Sequence, residues 1–178
     1  MPNPLLPQPI SYRPAAPADH LALRQLWNLF RHDMSAYTGG LPGADGRFRT
    51  ERLDHALGDT IGWLAWIAMA GPHPIGFALV RALDEPEHVL NSFFIVPGAR
   101  RSGLGRQFAR VVLLSRPGRW AIAYQDTNPA AAAFWPDLAR GLDPHWAHEH
   151  RSVPGRSELP PDHWIRLTIT PPPADASW

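Results

Sequence analysis

The feature that most constrains the fold of this chain is a change of hydrophobic pattern across a short loop that contains glycine residues. An apolar, strand-like segment at residues 89–96 ends at Pro97. Beyond Gly103 and Gly105, apolar residues recur at helical spacing, and residues 120–124 are strand-like again. A strand, a helix and a second strand in this order form a βαβ unit. Its two strands are expected to be parallel neighbours.

The segments before this unit predict antiparallel strands. Residues 61–70, 75–83 and 89–96 are apolar runs, and the turns between them are too short for a crossover. Residues 61–70 are apolar on both faces, as expected of a central strand. Residues 10–13 predict a short first strand. Further strand-like segments predict a final pair at residues 145–151 and 164–170.

Helical periodicity completes the prediction of an α/β fold. It predicts helices over residues 17–34, 50–57, 104–116 and 128–138. With 178 residues, 44% of them hydrophobic, the chain is sufficient for one core. We expect a single domain over residues 10–170, with a mixed, mostly antiparallel sheet of six or seven strands and three or four flanking helices. A flexible arm (1–9) and a flexible tail (171–178) would flank it.

Composition excludes several functional classes. The absence of cysteine excludes disulfides, thiolate metal sites and a cysteine nucleophile. All 17 basic residues are arginine, so Schiff-base lysine chemistry and the lysine-containing phosphate-binding loop of nucleotide hydrolases are excluded. A net charge of +1 creates no general positive field that would attract a polyanion such as nucleic acid. No apolar run reaches the length that a membrane span needs. Without a secretory signal pattern at the N-terminus, we expect a cytoplasmic protein.

The loop between the buried strand and the following helix predicts a pyrophosphate site. Free backbone N–H groups at a helix start bind phosphate, and glycine lets a ligand approach the backbone closely. Arg100, Arg101 and Arg106 add charged donors. A dinucleotide-binding fold fits less well, because Phe108 stands where that fold needs a small residue. The structural alternative is a glycine pair that only starts a helix, beside solvated arginines.

Two motifs carry a resemblance to a known family. Arg100-x-x-Gly103-x-Gly105, after an apolar strand, resembles the acyl-CoA-binding motif of the GNAT superfamily of N-acetyltransferases. The segment from Asn128 to Trp135 resembles the superfamily's N-x-x-A-x-x-aromatic-aromatic motif. The resemblance covers roughly residues 8–140. A narrower resemblance, to an uncharacterised bacterial branch of predicted acetyltransferases, rests on residues 32–37, 46–48, 75–80 and 117–120.

The resemblance implies that the fourth and fifth strands splay apart and hold the thioester arm of acetyl-CoA, the expected co-substrate, between them. Backbone groups of Ile95 and Val96 would pair with the pantetheine amides, and the loop from Arg100 to Arg106 would wrap the pyrophosphate. The complete set of expected cofactor-binding residues is Ile95, Val96, Arg100, Arg101, Ser102, Gly103, Leu104, Gly105, Arg106, Asn128 and Trp135.

The implied reaction is direct attack of a neutral amine, on a small molecule or a peptide, upon the acetyl carbonyl. The resemblance places Asp33 and Tyr37 near the acceptor pocket. A homodimer is a further possibility that it leaves open. The alternative function is a CoA-binding sensor or partner module with little catalysis.

The proton-transfer groups depart from the family pattern. Trp135 replaces the tyrosine that many relatives use as general acid, and an indole cannot release its proton near neutral pH. The fourth strand also lacks the usual glutamate. The catalytic candidates are therefore Tyr124, as the acid, and Ser92. The base would be water or a more distant group such as Asp33 or Glu87.

The pattern His145-x-x-His148-x-His150 invites comparison with a metal site. On a strand, only His148 and His150 share a face, and the sequence shows no third ligand nearby. We therefore expect no metal and interpret this segment as a polar surface strand.

Overall fold

The computed structural model describes residues 8–125, 127–151 and 162–171, which form a seven-stranded mixed sheet with four α-helices. The strands are β1 (Ile10–Pro14), β2 (Leu64–Ala70), β3 (His73–Arg81), β4 (Glu87–Ile95), β5 (Gly118–Tyr124), β6 (Ala147–Arg151) and β7 (Asp162–Ile169). The helices are α1 (His20–Thr38), α2 (Glu51–Leu57), α3 (Leu104–Leu114) and α4 (Pro129–Arg140), and 3-10 turns occupy Pro17–Asp19 and Pro97–Ala99. The predicted fold class is confirmed.

The strand order in the sheet is β1-β2-β3-β4-β5-β7-β6. β4 and β5 are parallel, and every other neighbouring pair is antiparallel. The predicted βαβ unit and the predicted final strand pair are therefore confirmed. β7 lies between β5 and β6, so the last strand in the chain is not the edge strand.

Some element boundaries differ from the sequence prediction. β2 begins at Leu64 rather than at residue 61, because Gly62 adopts a left-handed φ of +78° and Ile61 lies exposed in the preceding turn. β2 pairs with β1 on one side and β3 on the other, and most of its residues are buried, as predicted for a strand that is apolar on both faces. α1 continues beyond residue 34 to Thr38, where Gly39 ends it in a left-handed conformation.

β4 and β5 remain paired only over their first halves. Their parallel ladder ends at Leu90 opposite Ile122, whereas β4 stays paired with β3 as far as Ile95. A register shift in the β3–β4 ladder leaves Asn91 without an opposite residue, which is a β-bulge. In the described chain, the second half of β4 therefore has no strand on its β5 side. This arrangement confirms the predicted divergence.

Helices cover both faces of the sheet, and each face has its own apolar cluster. The first cluster joins β-strand side chains to Phe108 and Val112 of α3 and to Leu138 of α4. The second joins the opposite face to Trp27 of α1 and Leu53 of α2. Because both faces are buried, helices α1 and α3 are held on opposite sides of the point where β4 and β5 diverge.

Most of the predicted arm (1–9) and tail (171–178) lies outside the described residues, so their flexibility stays a prediction. Among the described residues, no helix combines the length and the apolar character that a bilayer-spanning segment requires.

An ion pair fixes the chain between β1 and α1. Arg13 donates two hydrogen bonds to the Asp19 carboxylate, at 2.6 and 2.9 Å, and the backbone N–H of Ala16 donates a third at 2.8 Å. The hydrogen bonds from Arg13, with the one from Ala16, lower the pKa of Asp19 from 3.8 to about 2. The folded state therefore favours the ionised carboxylate.

We expect Asp19→Asn to lower the free energy of unfolding at pH 7 by about 1 kcal/mol, because the Arg13 side chain is 43% exposed and solvent screens the pair. Because the pKa of Asp19 is lower in the folded than in the unfolded state, the ion pair stabilises the folded state fully at pH values above about 3.8. This stabilisation is lost as the pH falls from about 3.8 to about 2 and the carboxylate becomes protonated. Urea unfolding at pH 7 and pH 2 measures the difference. An equal loss at both pH values would contradict the assignment.

Candidate functional site

A cavity of about 970 Å³ lies where β4 and β5 diverge. It is bordered by the second half of β4, the loop that leads into α3, the start of α4 and the end of α1. Many of its lining residues coincide with the sequence prediction: Asp33, Tyr37, Ile95, Arg100, Arg101, Gly103, Gly105, Arg106, Asn128 and Trp135. Val96, Ser102 and Leu104 do not line it. Further lining residues that the sequence analysis missed include Phe30, His32, Phe93 and Phe134.

The start of α3 is open towards this cavity. Gly103 precedes the helix with a left-handed φ of +84°, and no side chain of residues 8–125, 127–151 and 162–171 caps the helix. At Gly105, an added Cβ would approach only Ile95 Cγ1, at 3.6 Å, so the backbone here is accessible. The first N–H groups of a helix carry partial positive charge and have no intrahelical partner. This end of the cavity therefore suits an anionic group.

The three arginines of residues 100–106 have different surroundings. Arg100 donates from Nε to the Ile95 carbonyl at 2.7 Å and forms an ion pair with Asp33. Arg106 forms an ion pair with Asp137 of α4. In the described part of the chain, Arg101 makes neither a hydrogen bond nor an ion pair, and it is exposed. Arg101 is therefore the arginine most available to a ligand.

The backbone groups of β4 that face the gap belong to Phe93 and Ile95, whereas the sequence predicted Ile95 and Val96. Val96 donates its N–H to the Ile75 carbonyl and accepts from Ala99, both at 2.9 Å, so both of its backbone groups are engaged. Backbone groups alternate in direction along a strand. Those of Phe93 and Ile95 therefore point towards the gap beside β5, although the Ile95 carbonyl already accepts from Arg100.

Ser102 and Leu104 have structural partners. The Ser102 hydroxyl donates to the Ala99 carbonyl at 2.8 Å, which closes the loop. The Leu104 carbonyl accepts from the Tyr12 hydroxyl at 3.2 Å, which ties α3 to β1. Both residues thus hold the loop and the start of α3 in place without lining the cavity.

α4 forms the far wall of the cavity. Asn128 caps this helix by accepting a hydrogen bond from the Ala131 N–H at 3.1 Å. The Trp135 ring packs edge-on against Phe93, with 5.3 Å between ring centroids, and against Phe134 at 4.7 Å. These aromatic contacts connect α4 to the unpaired half of β4. They give the gap an apolar wall.

A second, smaller cavity of about 380 Å³ lies beyond the gap. Ser92 and Tyr124, the two catalytic candidates, both line it, whereas Asp33 and Tyr37 line only the larger cavity. The residues that line both cavities are Phe30, Met34, Phe93, Asn128, Ala131 and Trp135. Two cavities that share a wall at a strand gap can hold two molecules whose reacting ends meet.

The candidate proton-transfer groups have defined partners. Ser92 is buried, and its hydroxyl donates to Asn91 Oδ1 at 3.3 Å. The hydroxyl of Tyr124 lies 3.2 Å from Nε2 of His148. The two carboxylates considered as bases are both ion-paired with arginine, Asp33 with Arg100 and Glu87 with Arg166, and neither lines the smaller cavity.

A family model and several solved structures match this chain. The family model described as the acetyltransferase (GNAT) family matches residues 23–138. The chain belongs to the GNAT family. Curated protein sequences, by contrast, contain no match to it.

Solved GNAT-like structures share the fold of this family member at low sequence identity. An acetyltransferase from Thermus thermophilus superposes with a TM-score of 0.65 and 18% identity, over 90% of this chain and 97% of that one. The ribosomal-protein-S18-alanine N-acetyltransferase from Escherichia coli gives 0.63 and 14%, over 96% and 100%. A Salmonella typhimurium protein, solved with its cofactor acetyl-CoA, gives 0.61 and 15%, over 95% and 99%.

Three histidines of this GNAT protein converge on the sheet beside Tyr124. His148 and His150 share a face of β6, as predicted, but β7 adds His163, which the sequence analysis missed because the register between β6 and β7 is not visible in sequence. Their ligating nitrogens lie within 4.8 Å of one another, which is close enough for one metal ion. However, His148 Nε2 already lies 2.9 Å from His163 Nδ1 and within reach of Tyr124.

We expect the purified protein to contain no stoichiometric transition metal, because binding would break the hydrogen bonds that His148 makes. Elemental analysis of protein purified without chelators measures the metal content, and unfolding with and without EDTA measures any effect on stability. One zinc per chain, lost together with thermal stability in His150→Ala, would contradict this prediction and assign a structural site to the cluster.

Proposed function

We propose that this protein transfers an acetyl group from acetyl-CoA to a primary amine of a small molecule or peptide. The observation that carries the proposal is the continuity of the site. An anion-binding helix start, an unpaired strand edge and a second cavity follow one another along the β4–β5 gap. Phosphates, an amide-containing arm and an acceptor are the three parts of the reaction that these features accommodate.

The cofactor would bind in the larger cavity. Its pyrophosphate would lie against the N–H groups at the start of α3, with Arg101 as the available charged donor. The pantetheine amides would pair with the unpaired backbone groups of Phe93 and Ile95, as an added strand does. Trp135 would form the apolar wall beside this arm.

The acetyl carbonyl would lie where the two cavities meet. The amine nitrogen attacks the carbonyl carbon from the smaller cavity, a C–N bond forms, and collapse of the tetrahedral intermediate breaks the C–S bond. An unpaired N–H of β4 is the donor available for the oxyanion. The amine loses its proton to water, and the departing thiolate takes a proton from water or from Tyr124. Positioning accounts for most of the acceleration in this scheme.

A second candidate function is a CoA-binding sensor with little catalysis. Asp33 and Glu87 are each ion-paired with an arginine, and neither carboxylate lies beside the smaller cavity, where a general base would be needed. This arrangement favours the sensor function. The two functions differ in turnover: a catalyst releases CoA thiol repeatedly in the presence of an amine, whereas a sensor only binds the cofactor.

We expect Gly105→Val to abolish acetyl-CoA binding, because the valine side chain would occupy the space over the backbone where the pyrophosphate is proposed to bind. Valine is a better helix former than glycine, so the variant should fold. Calorimetry measures affinity, and thiol release with a panel of amines measures turnover. Gly98→Val is the matched control, since nothing lies within 4 Å of an added Cβ there and Gly98 does not line the cavity. Unchanged affinity in a folded Gly105→Val variant would refute the site.

We expect Trp135→Phe to raise the KM for acetyl-CoA while kcat stays within roughly threefold, because an apolar wall does not transfer protons. Tyr124→Phe should lower kcat by less than about 100-fold, since a thiol with a pKa near 8.5 is only a modest leaving-group problem at pH 8. Steady-state kinetics separates the two parameters. A large loss of kcat in Trp135→Phe at saturating acetyl-CoA would show that the indole N–H takes part in catalysis.

A further inference from the structure

The smaller cavity contains a cluster of arginines that the CoA chemistry does not use. Arg31 of α1, Arg52 of α2 and Arg81 at the end of β3 all line it. They come from three separate elements and lie on the side of the sheet covered by α1 and α2. We call Arg31, Arg52 and Arg81 the acceptor arginines.

The acceptor arginines lack the partners that most other described arginines have. Arg13, Arg24 and Arg166, for example, each form an ion pair with a carboxylate. In the described part of the chain, no acceptor arginine forms an ion pair or donates a hydrogen bond. Nε of Arg31 is buried and has no hydrogen-bond partner in that part of the chain. A buried donor without an acceptor is costly, and such groups are rare in folded proteins.

The electrostatic surroundings of the cluster are predominantly positive. Burial and the nearby charge of Arg52 lower the pKa values of both Arg31 and Arg81. Arg49 adds a further positive charge near Arg31, and Glu51 is the one acid among the described residues that opposes these charges at Arg31. The guanidinium of Arg31 also lies over the Phe48 ring, 5.8 Å from its centroid, a contact that holds the side chain without neutralising it.

The charge in the smaller cavity is unevenly distributed. Asp162 is its only acidic lining residue in the described chain, and it receives a hydrogen bond from Gln125 at 3.3 Å. Asp162 lies on β7, three strand positions away from β3, which carries Arg81. The arginine end of the cavity is therefore complementary to an anion, and the centre of the cavity adjoins the gap where acetyl transfer is proposed.

We propose that the acceptor is a small amine that also carries an acidic group, a carboxylate or a phosphate, and that the acceptor arginines bind this group. The planar fork of arginine matches both groups and forms strong, charge-assisted hydrogen bonds with them. Binding the anion at this end would direct the amine towards the β4–β5 gap. A cavity of about 380 Å³ is at the small end of ligand sites, which fits an acceptor of amino-acid size. This inference rests on the proposed function.

The first test compares matched amines that differ only in the acidic group. One arm uses each L-amino acid with its neutral amide, and the other uses phosphoethanolamine with ethanolamine. We expect kcat/KM to be roughly 10- to 100-fold higher for the acidic member of the accepted pair. The arm that shows the difference identifies a carboxylate or a phosphate. Equal turnover of acidic and neutral members would overturn the inference while leaving acetyl transfer intact.

Variants test whether the acceptor arginines are responsible. Arg52→Gln and Arg81→Gln should raise KM for the acidic amine roughly tenfold more than KM for the neutral amine, because the neutral amine has no group for these arginines to bind. Arg119→Gln, an exposed position on β5 outside both cavities, is the matched control. An equal loss for both amines would indicate a merely structural role and would contradict the proposal.

A binding arm separates this inference from the proposed function. Calorimetry with N-acetyl amino acids and their neutral amides requires no turnover. We expect the acids to bind more tightly, and Arg52→Gln to remove that difference. Acid-selective binding without any CoA release would refute acetyl transfer but retain the anion site. Turnover of amines without acid-selective binding would refute the anion site alone.

Discussion

The loss of pairing between β4 and β5 after Leu90 and Ile122 is the constraint on which the rest of the site depends. Unpaired backbone N–H and C=O groups in an interior require partners. In the second half of β4, the groups of Phe93 and Ile95 that face the gap have no strand to pair with in the part of the chain that the structure describes. A sheet that stayed closed here would have no room for a thioester arm. The divergence therefore provides both the space and the hydrogen-bonding edge.

The divergence is maintained by packing on both sides of the sheet. On one side, Trp135 and Phe134 of α4 pack with Phe93. On the other, Phe30 of α1 packs edge-on against Phe94, 6.0 Å between ring centroids. Consecutive residues of β4 thus hold helices on opposite faces. The same aromatic residues form the walls of the cavities, so the packing that stabilises the gap also shapes the site.

The distribution of charge matters more here than the net charge of +1. Arginines lie at two places, around the start of α3 and at the far end of the smaller cavity. Those around the start of α3 mostly have protein partners: Arg100 pairs with Asp33 and Arg106 with Asp137. The acceptor arginines do not. We therefore expect an anionic group to bind at each end of the combined site. At the start of α3 the anion would bind beside arginines that are already ion-paired, whereas the acceptor arginines are available to an anion without breaking an ion pair of the described residues.

The sequence by itself determined the local features. Alternating and helical periodicity fixed the βαβ unit, and short turns fixed the antiparallel strands, because both depend on residues close in the chain. The glycine and arginine motif located the start of α3. Only the tertiary structure decided which backbone N–H and C=O groups of β4 face the gap, since the β-bulge at Asn91 and the hydrogen bond from the Val96 N–H to the Ile75 carbonyl set the register between β3 and β4. It also brought His163 to β6 and assembled the acceptor arginines from three elements. Such contacts join distant residues, and no spacing within one segment encodes them.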